Sequence, residues 1–167
     1  FGLNYSVSFL GKTAGEVEDY SAGPTFINYD YEYKTTRNTF MLNAKVDIIN
    51  LDVANEDMPR NHIISPYILL GGGVSINRAR DYSEDAKANV TPRTSLGFGS
   101  KTRTDLAYQV GAGFDYEINS HWLTSLGYTY TDAGEAELDS GDVRPGVKGP
   151  HQKLRSHDVM LSLRYQN

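Results

Sequence analysis

Apolar and polar residues alternate with a period of two along much of this chain, and no stretch carries a convincing 3.6-residue repeat. Seven segments show the alternation. Phe1 to Leu10 sets Phe1, Leu3, Tyr5, Val7 and Phe9 against Gly2, Asn4, Ser6 and Ser8. The second, about Thr25 to Tyr33, opposes Ile27, Tyr29, Tyr31 and Tyr33 to Asn28, Asp30 and Glu32. A third runs from about Phe40 to Asn50 and a fourth from about Pro66 to Asn77. The clearest spans Asp105 to Ile118, with Leu106, Tyr108, Val110, Ala112, Phe114, Tyr116 and Ile118 on one side. Gln109, Gly111, Gly113, Asp115 and Glu117 fall on the other. Trp122 to Thr131 and Ser156 to Gln166 complete the set. The pattern predicts an all-β chain of antiparallel strands. Asn119 to His121 is a minimal turn, whereas 78–104 and 132–155 read as long loops and 11–23 and 53–64 as intermediate ones.

Alternation alone does not say which face is buried. Volume does. The ring-bearing faces carry Tyr29, Tyr31, Tyr33, Tyr108, Phe114, Tyr116, Trp122, Tyr128, Tyr130 and Tyr165 among others, and the interior of a small barrel is only just wide enough for its side chains. So many rings would overfill it. The opposite faces, rich in Gly, Ser, Asn and Thr, suit a narrow centre. The expected arrangement is an up-and-down transmembrane β-barrel with Tyr108, Phe114, Tyr116, Trp122, Tyr128, Tyr130 and Tyr165 facing lipid. Lys45, Asp47, Gln109, Asp115, Glu117, Asp158 and Arg164 turn to the interior, where their charges need partners. Rings near strand ends fit the aromatic girdles of two membrane interfaces.

Composition agrees and removes alternatives. The 167 residues suit one domain over 1–167. Mean hydropathy is −0.48 and no run reaches the length of a membrane helix, which a barrel does not need. With 12 Tyr, 6 Phe and 16 Gly the chain favours strands. It has no cysteine, which excludes disulfides, thiolate metal sites and cysteine nucleophiles. A net charge of −5 with interspersed signs offers no basic stripe for nucleic acid. Phe1 opens directly on an alternating segment, so any secretion leader has been removed or lies upstream.

The stretches Met41-Leu42-Asn43-Ala44-Lys45-Val46-Asp47, Ser65-Pro66-Tyr67 and Gly71-Gly72-Gly73-Val74 resemble a recurrent pattern of eight-stranded outer-membrane proteins of the opacity-protein type, related to outer-membrane protein A. The likeness continues in Ala107 to Tyr116, in Leu126-Gly127-Tyr128-Thr129-Tyr130 and in Leu161-Ser162-Leu163-Arg164-Tyr165. It covers roughly residues 40–166 and implies residence in the bacterial outer membrane. It also places 53–64 and 119–121 in the periplasm, 78–104 and 132–155 outside, and a short outer loop at 34–39. Such barrels have an even number of strands, so seven segments imply an eighth upstream of Phe1. They also end on an aromatic residue, where this chain has Asn167.

Candidate chemistry is sparse. His62, His121, His151 and His157 show no metal-ligand spacing, and the acidic run Asp132, Glu135, Glu137, Asp139, Asp142 lacks a calcium-loop pattern. Gly97 to Thr102 lacks the full spacing of a phosphate loop. Ser156-His157-Asp158 are strand neighbours that point to opposite faces, so no catalytic, metal or cofactor site is expected. Arg78, Arg80, Lys87, Arg93, Lys101 and Arg103 are candidate loop contacts for lipopolysaccharide or a host ligand. The function expected is a surface protein that presents loops for adhesion, antigen display or envelope integrity. A narrow pore or small-molecule transporter is the alternative, and a lipid-modifying outer-membrane enzyme a weaker one.

Overall fold

The computed structural model describes residues 2–18, 27–53, 62–90, 97–140 and 148–165. The described residues form six long strands and one short one: β1 Gly2–Glu18, β2 Ile27–Asp47, β3 Leu51–Val53, β4 His62–Ala86, β5 Lys101–Glu117, β6 Trp122–Glu137 and β7 His151–Tyr165. The long strands pair antiparallel in the order β1-β2-β4-β5-β6-β7, and β3 pairs β4 off that path. This is an up-and-down meander. The sheet curls into a half-barrel, and Thr13 on β1 donates a 2.8 Å hydrogen bond to Gln152 on β7 across the concave side. Among the described residues no ladder joins β1 to β7.

The β5–β6 hairpin shows why the fold is local. Asn119 accepts the backbone N–H groups of His121 and Trp122 on its side-chain oxygen, at 2.9 and 3.0 Å, and so closes the turn. Ile118 N–H then bonds Trp122 O at 2.9 Å and the ladder starts.

The large apolar side chains stand on the convex face. Phe9 is 80% exposed, Leu106 84% and Leu161 78%, with Leu42, Leu70, Phe114 and Tyr128 beside them. Ser75, Asn77, Thr129, Thr131 and Asp115 are buried on the concave side. Such a surface is a liability in water and what hydrocarbon requires.

Several sequence expectations change. Residues 34–39 are not an outer loop: they lie inside β2, which runs unbroken for 21 residues and joins two of the seven predicted segments. The described residues therefore carry six long strands where seven segments were expected. Tyr29 and Tyr33 are 2% exposed, on the concave side, and not on the outer face where they were counted. The cause is strand continuity. Phe40 and Leu42 point out, so with a period of two the odd-numbered tyrosines of the same strand point in. The predicted loops also shrink, because β4 continues to Ala86, β5 begins at Lys101, β6 continues to Glu137 and β7 begins at His151.

Candidate functional site

A strand needs about 9–11 residues to cross a bilayer. The outward apolar residues of β4, from Ile68 to Ile76, span that length, yet β4 is 25 residues long. The remainder, on the side away from the β5–β6 turn, rises beyond the apolar belt. There the chain reverses its facing.

Three bulges produce the reversal. Between Phe9 and Lys12 of β1, between Arg80 and Ser83 of β4 and between Asp132 and Glu135 of β6, one strand inserts an extra residue against its neighbour. Gly11 (φ 73°), Asp81 (φ 59°) and Gly134 (φ 78°) take the left-handed conformations these bulges need. Each extra residue exchanges the two faces of the strand beyond it. Past the bulges Ala136 and Leu138 turn inward and join Tyr33, Ala79, Ala133 and Leu154 in a small apolar core, flanked by Tyr31, Tyr82 and Phe98. The outer half of the sheet is therefore packed like a water-soluble protein.

The outer connections are tied to this core. Gly99 and Asp139 exchange backbone hydrogen bonds of 3.0 and 2.9 Å, which staples the β4–β5 connection to the β6–β7 connection. Phe98 meets Tyr82 edge-on with ring centroids 4.9 Å apart. Lys101 pairs with Glu137, and Arg103 donates to Asp105 at 2.7 Å and reaches Glu135 at 3.5 Å. The Lys101 ammonium, with Arg103 and His151 nearby, holds the Glu137 carboxyl below its usual range. Lys87 bridges Glu16 and Asp30, the latter at 3.3 Å. Arg80 lies 3.6 Å from Asp81, and Arg78 makes no ion pair among the described residues. Of the candidate loop contacts, Arg78, Arg80, Lys101 and Arg103 thus belong to strands, only Lys87 to a loop, and Arg93 lies outside the described residues.

Below the bulges the interior is polar. Lys45 pairs with the buried Asp115, sits 4.1 Å above the Tyr67 ring and lies 3.9 Å from the exposed Asp47. The Tyr67 hydroxyl occupies the space that Gly113 and Gly127 leave open, where any Cβ would collide with it at 2.6 and 2.2 Å. Further out Ser75 donates to Asn77 at 2.7 Å, and the Asn77 amide donates to Ala133 O at 2.7 Å and to Asp105 at 3.3 Å. A cavity of about 250 Å³ is lined by Ser8, Arg37, Thr39, Gln109, Thr131 and Asp158, among others. Thr35, Arg37, Asn43, Asp115 and Thr129 each keep one buried polar atom without a partner among the described residues, the composition of a hydrated interior. Glu117 is half-buried on this face, and Arg164 is exposed at the β7 edge with no ion pair among the described residues. Arg37 was not foreseen, because residues 34–39 read as a loop.

On the convex face Trp122 meets Tyr165 edge-on at 5.2 Å, close to the short turn. At the other end of the belt Tyr130 lies 6.3 Å from Tyr108 and 5.1 Å from His157, whose Nδ1 hydrogen-bonds the Tyr128 hydroxyl. Phe114 is exposed between them and Tyr116 is half-buried. Ser156 donates to Asp158 at 3.1 Å on one face of β7, while His157 is engaged on the other.

This distribution is that of a membrane barrel, and the family described as outer membrane protein beta-barrel domain matches residues 1–166. The chain belongs to that family. The outer-membrane barrel is 22% identical over 139 residues to a Rickettsia conorii protein named "Putative adhesin RC1281", covering 83% of this chain. It spans about half the length of that curated relative, 51%. No solved structure matches it. Residence in the bacterial outer membrane follows from the family, and the extensions of β1, β2, β4, β6 and β7 beyond the apolar belt stand on the side opposite the β5–β6 turn.

Proposed function

We propose that this barrel is a non-enzymatic surface protein whose stiffened outer half recognises a partner outside the cell, in an adhesive or antigenic role. The observation that carries the reading is the outer half itself. A barrel that only sealed or stabilised the membrane would need no strands beyond the belt, yet here they continue, acquire an apolar core around Tyr33, Leu138 and Leu154 and staple two connections together at Gly99 and Asp139. Recognition surfaces are commonly loops held on such rigid scaffolds. The adhesin name of the relative supports the same direction. In this reading Tyr108, Phe114, Tyr116, Trp122, Tyr128, Tyr130 and Tyr165 contact lipid and hold the barrel at depth. The separation of Ser156 and Asp158 from His157 across β7 supports the non-enzymatic part.

The test is expression on the surface of non-adherent Gram-negative cells, followed by counting of cells retained on host-cell monolayers. Retention should exceed that of vector controls and fall to the control level when 139–149 is replaced by a Gly/Ser linker that leaves the barrel folded. Retention equal to the vector control, or indifferent to the replacement, would refute the proposal.

A further inference from the structure

We propose that the outward row formed by Lys12, Lys34 and Arg80, with Arg78 beside it, binds the phosphate groups of lipopolysaccharide in the outer leaflet. Lys12 lies opposite Lys34 in the β1–β2 ladder, and Lys34 lies opposite Arg80 in the β2–β4 ladder. Three cations thus stand side by side across three strands. Like charges directly opposite one another destabilise a sheet. Two carboxylates relieve part of this: Glu32 accepts from Lys12 at 2.8 Å, and Asp81 is shared between Lys34 at 3.2 Å and Arg80 at 3.6 Å. Arg78, opposite Thr36, has no carboxylate of its own among the described residues. Four cations against two carboxylates leave an excess of positive charge that an external anion would complete.

The position of this excess identifies the anion. Below it, toward the membrane, stand Phe9 and Val7 on β1 and Ile76 and Val74 on β4, all exposed, while on β2 Thr36 and Asn38 precede the exposed Phe40. Farther out the sign reverses, for Glu16, Asp30 and Asp85 form a row of three carboxylates with Lys87 bridging two of them. The cationic zone is therefore a narrow band pressed against the apolar belt. A soluble polyanion would be met by the acidic row first. A phosphorylated glycolipid reaches the band from the membrane side, with its acyl chains along Val74 and Phe40 and its phosphates at the height of Arg78 and Arg80. Arginine forks suit phosphate in bidentate geometry.

The experiment uses the folded chain in detergent micelles, titrated with lipid A carrying its phosphates, with the same lipid dephosphorylated and with inorganic phosphate. Phosphorylated lipid A should bind the unaltered protein about tenfold or more tightly than the dephosphorylated form. That preference should vanish in R78Q/R80Q and persist in K148Q, which removes a cation from the outer connection. Heat-modifiable migration on a gel establishes folding of each variant. If R78Q/R80Q fails to fold, R78Q alone serves, since its side chain gives up no internal ion pair. Equal binding of both lipids by the unaltered protein, or an undiminished preference in the variant, overturns the proposal. Displacement of the lipid by equimolar inorganic phosphate overturns it too, because the site would then recognise the free ion. The outcome is independent of adhesion, which concerns the outer connections.

Discussion

Replacement of Leu161 by Arg tests the assignment of the convex face to lipid. Leu161 is 78% exposed on β7, opposite Leu126, which in turn lies opposite Phe114. On the same face His157 and Tyr165 mark the two ends of the belt, each four residues from Leu161. At about 3.3 Å per residue these are roughly 13 Å away along the strand, or about 10 Å in height for a strand tilted by about 40°. Leu161 therefore sits near the middle of a band that is about 25 Å tall in such barrels. Arginine there should cost about 2–4 kcal/mol, because its side chain barely reaches either interface. The same exchange at an exposed position of a water-soluble sheet would fall within about 0.5 kcal/mol. Urea unfolding of the protein refolded in phosphatidylcholine vesicles, followed by Trp122 fluorescence and gel mobility, measures the difference. His157→Arg, at the rim, should cost less than about 1 kcal/mol. A loss below about 1 kcal/mol at Leu161, or equal losses at both positions, would refute the placement.

Three further outcomes follow from the interior and the bulges. Lys45→Ala strands the carboxylate of Asp115 inside the barrel and should lower stability by up to about 3 kcal/mol, at the low end for a buried pair because Lys45 is 30% exposed; vesicle unfolding should show Lys45→Ala/Asp115→Ala losing less than the sum of the single changes. Gly134→Val forces a β-branched residue to φ 78° with its Cβ 2.4 Å from that of Asp105, so the outer half should loosen by at least about 1–2 kcal/mol. Limited proteolysis should then cut the outer strands faster while the belt stays protected. Glu137 has a depressed pKa in the folded protein, so its contribution is full above the ordinary carboxylate range and is lost as pH falls through the lowered value. Hydrogen exchange at Leu138 and Asp139 should speed up as the pH falls below the ordinary carboxylate range, and Glu137→Gln should remove that dependence.

The strands that cross the membrane were legible wherever nothing interrupts the period of two. β5 is the clearest case: its facing never changes from Lys101 to Glu117, and the run from Leu106 to Phe114 announces it. β2 misled for a physical reason. Its inner half meets lipid outside and its outer half meets water outside, so Tyr29 and Tyr33 occupy the same face as Thr39 and Met41 although their chemistry suggests the opposite one. Gly11, Asp81 and Gly134 concealed the outer parts of β1, β4 and β6, because a reading by alternation stops where a single extra residue enters. The row of Lys12, Lys34 and Arg80 was beyond reach of the sequence, since it depends on the registers of two ladders. The same holds for Lys45 and Asp115. Alternation puts both on the inner face, and only the three-dimensional path of β2, β4 and β5 brings them into contact.

A bulge adds its residue to one strand and leaves its neighbours uncounted. Loss of the codon for Gly134 would rotate Ala136 and Leu138 to the outside and bring Glu135 and Glu137 in, yet Trp122 to Thr131 would keep their partners on both flanks. The same arithmetic applies to Gly11 and the residues beyond it on β1. Single-residue insertions and deletions near these points can therefore refashion the sheet beyond the belt while the anchor in the bilayer is untouched.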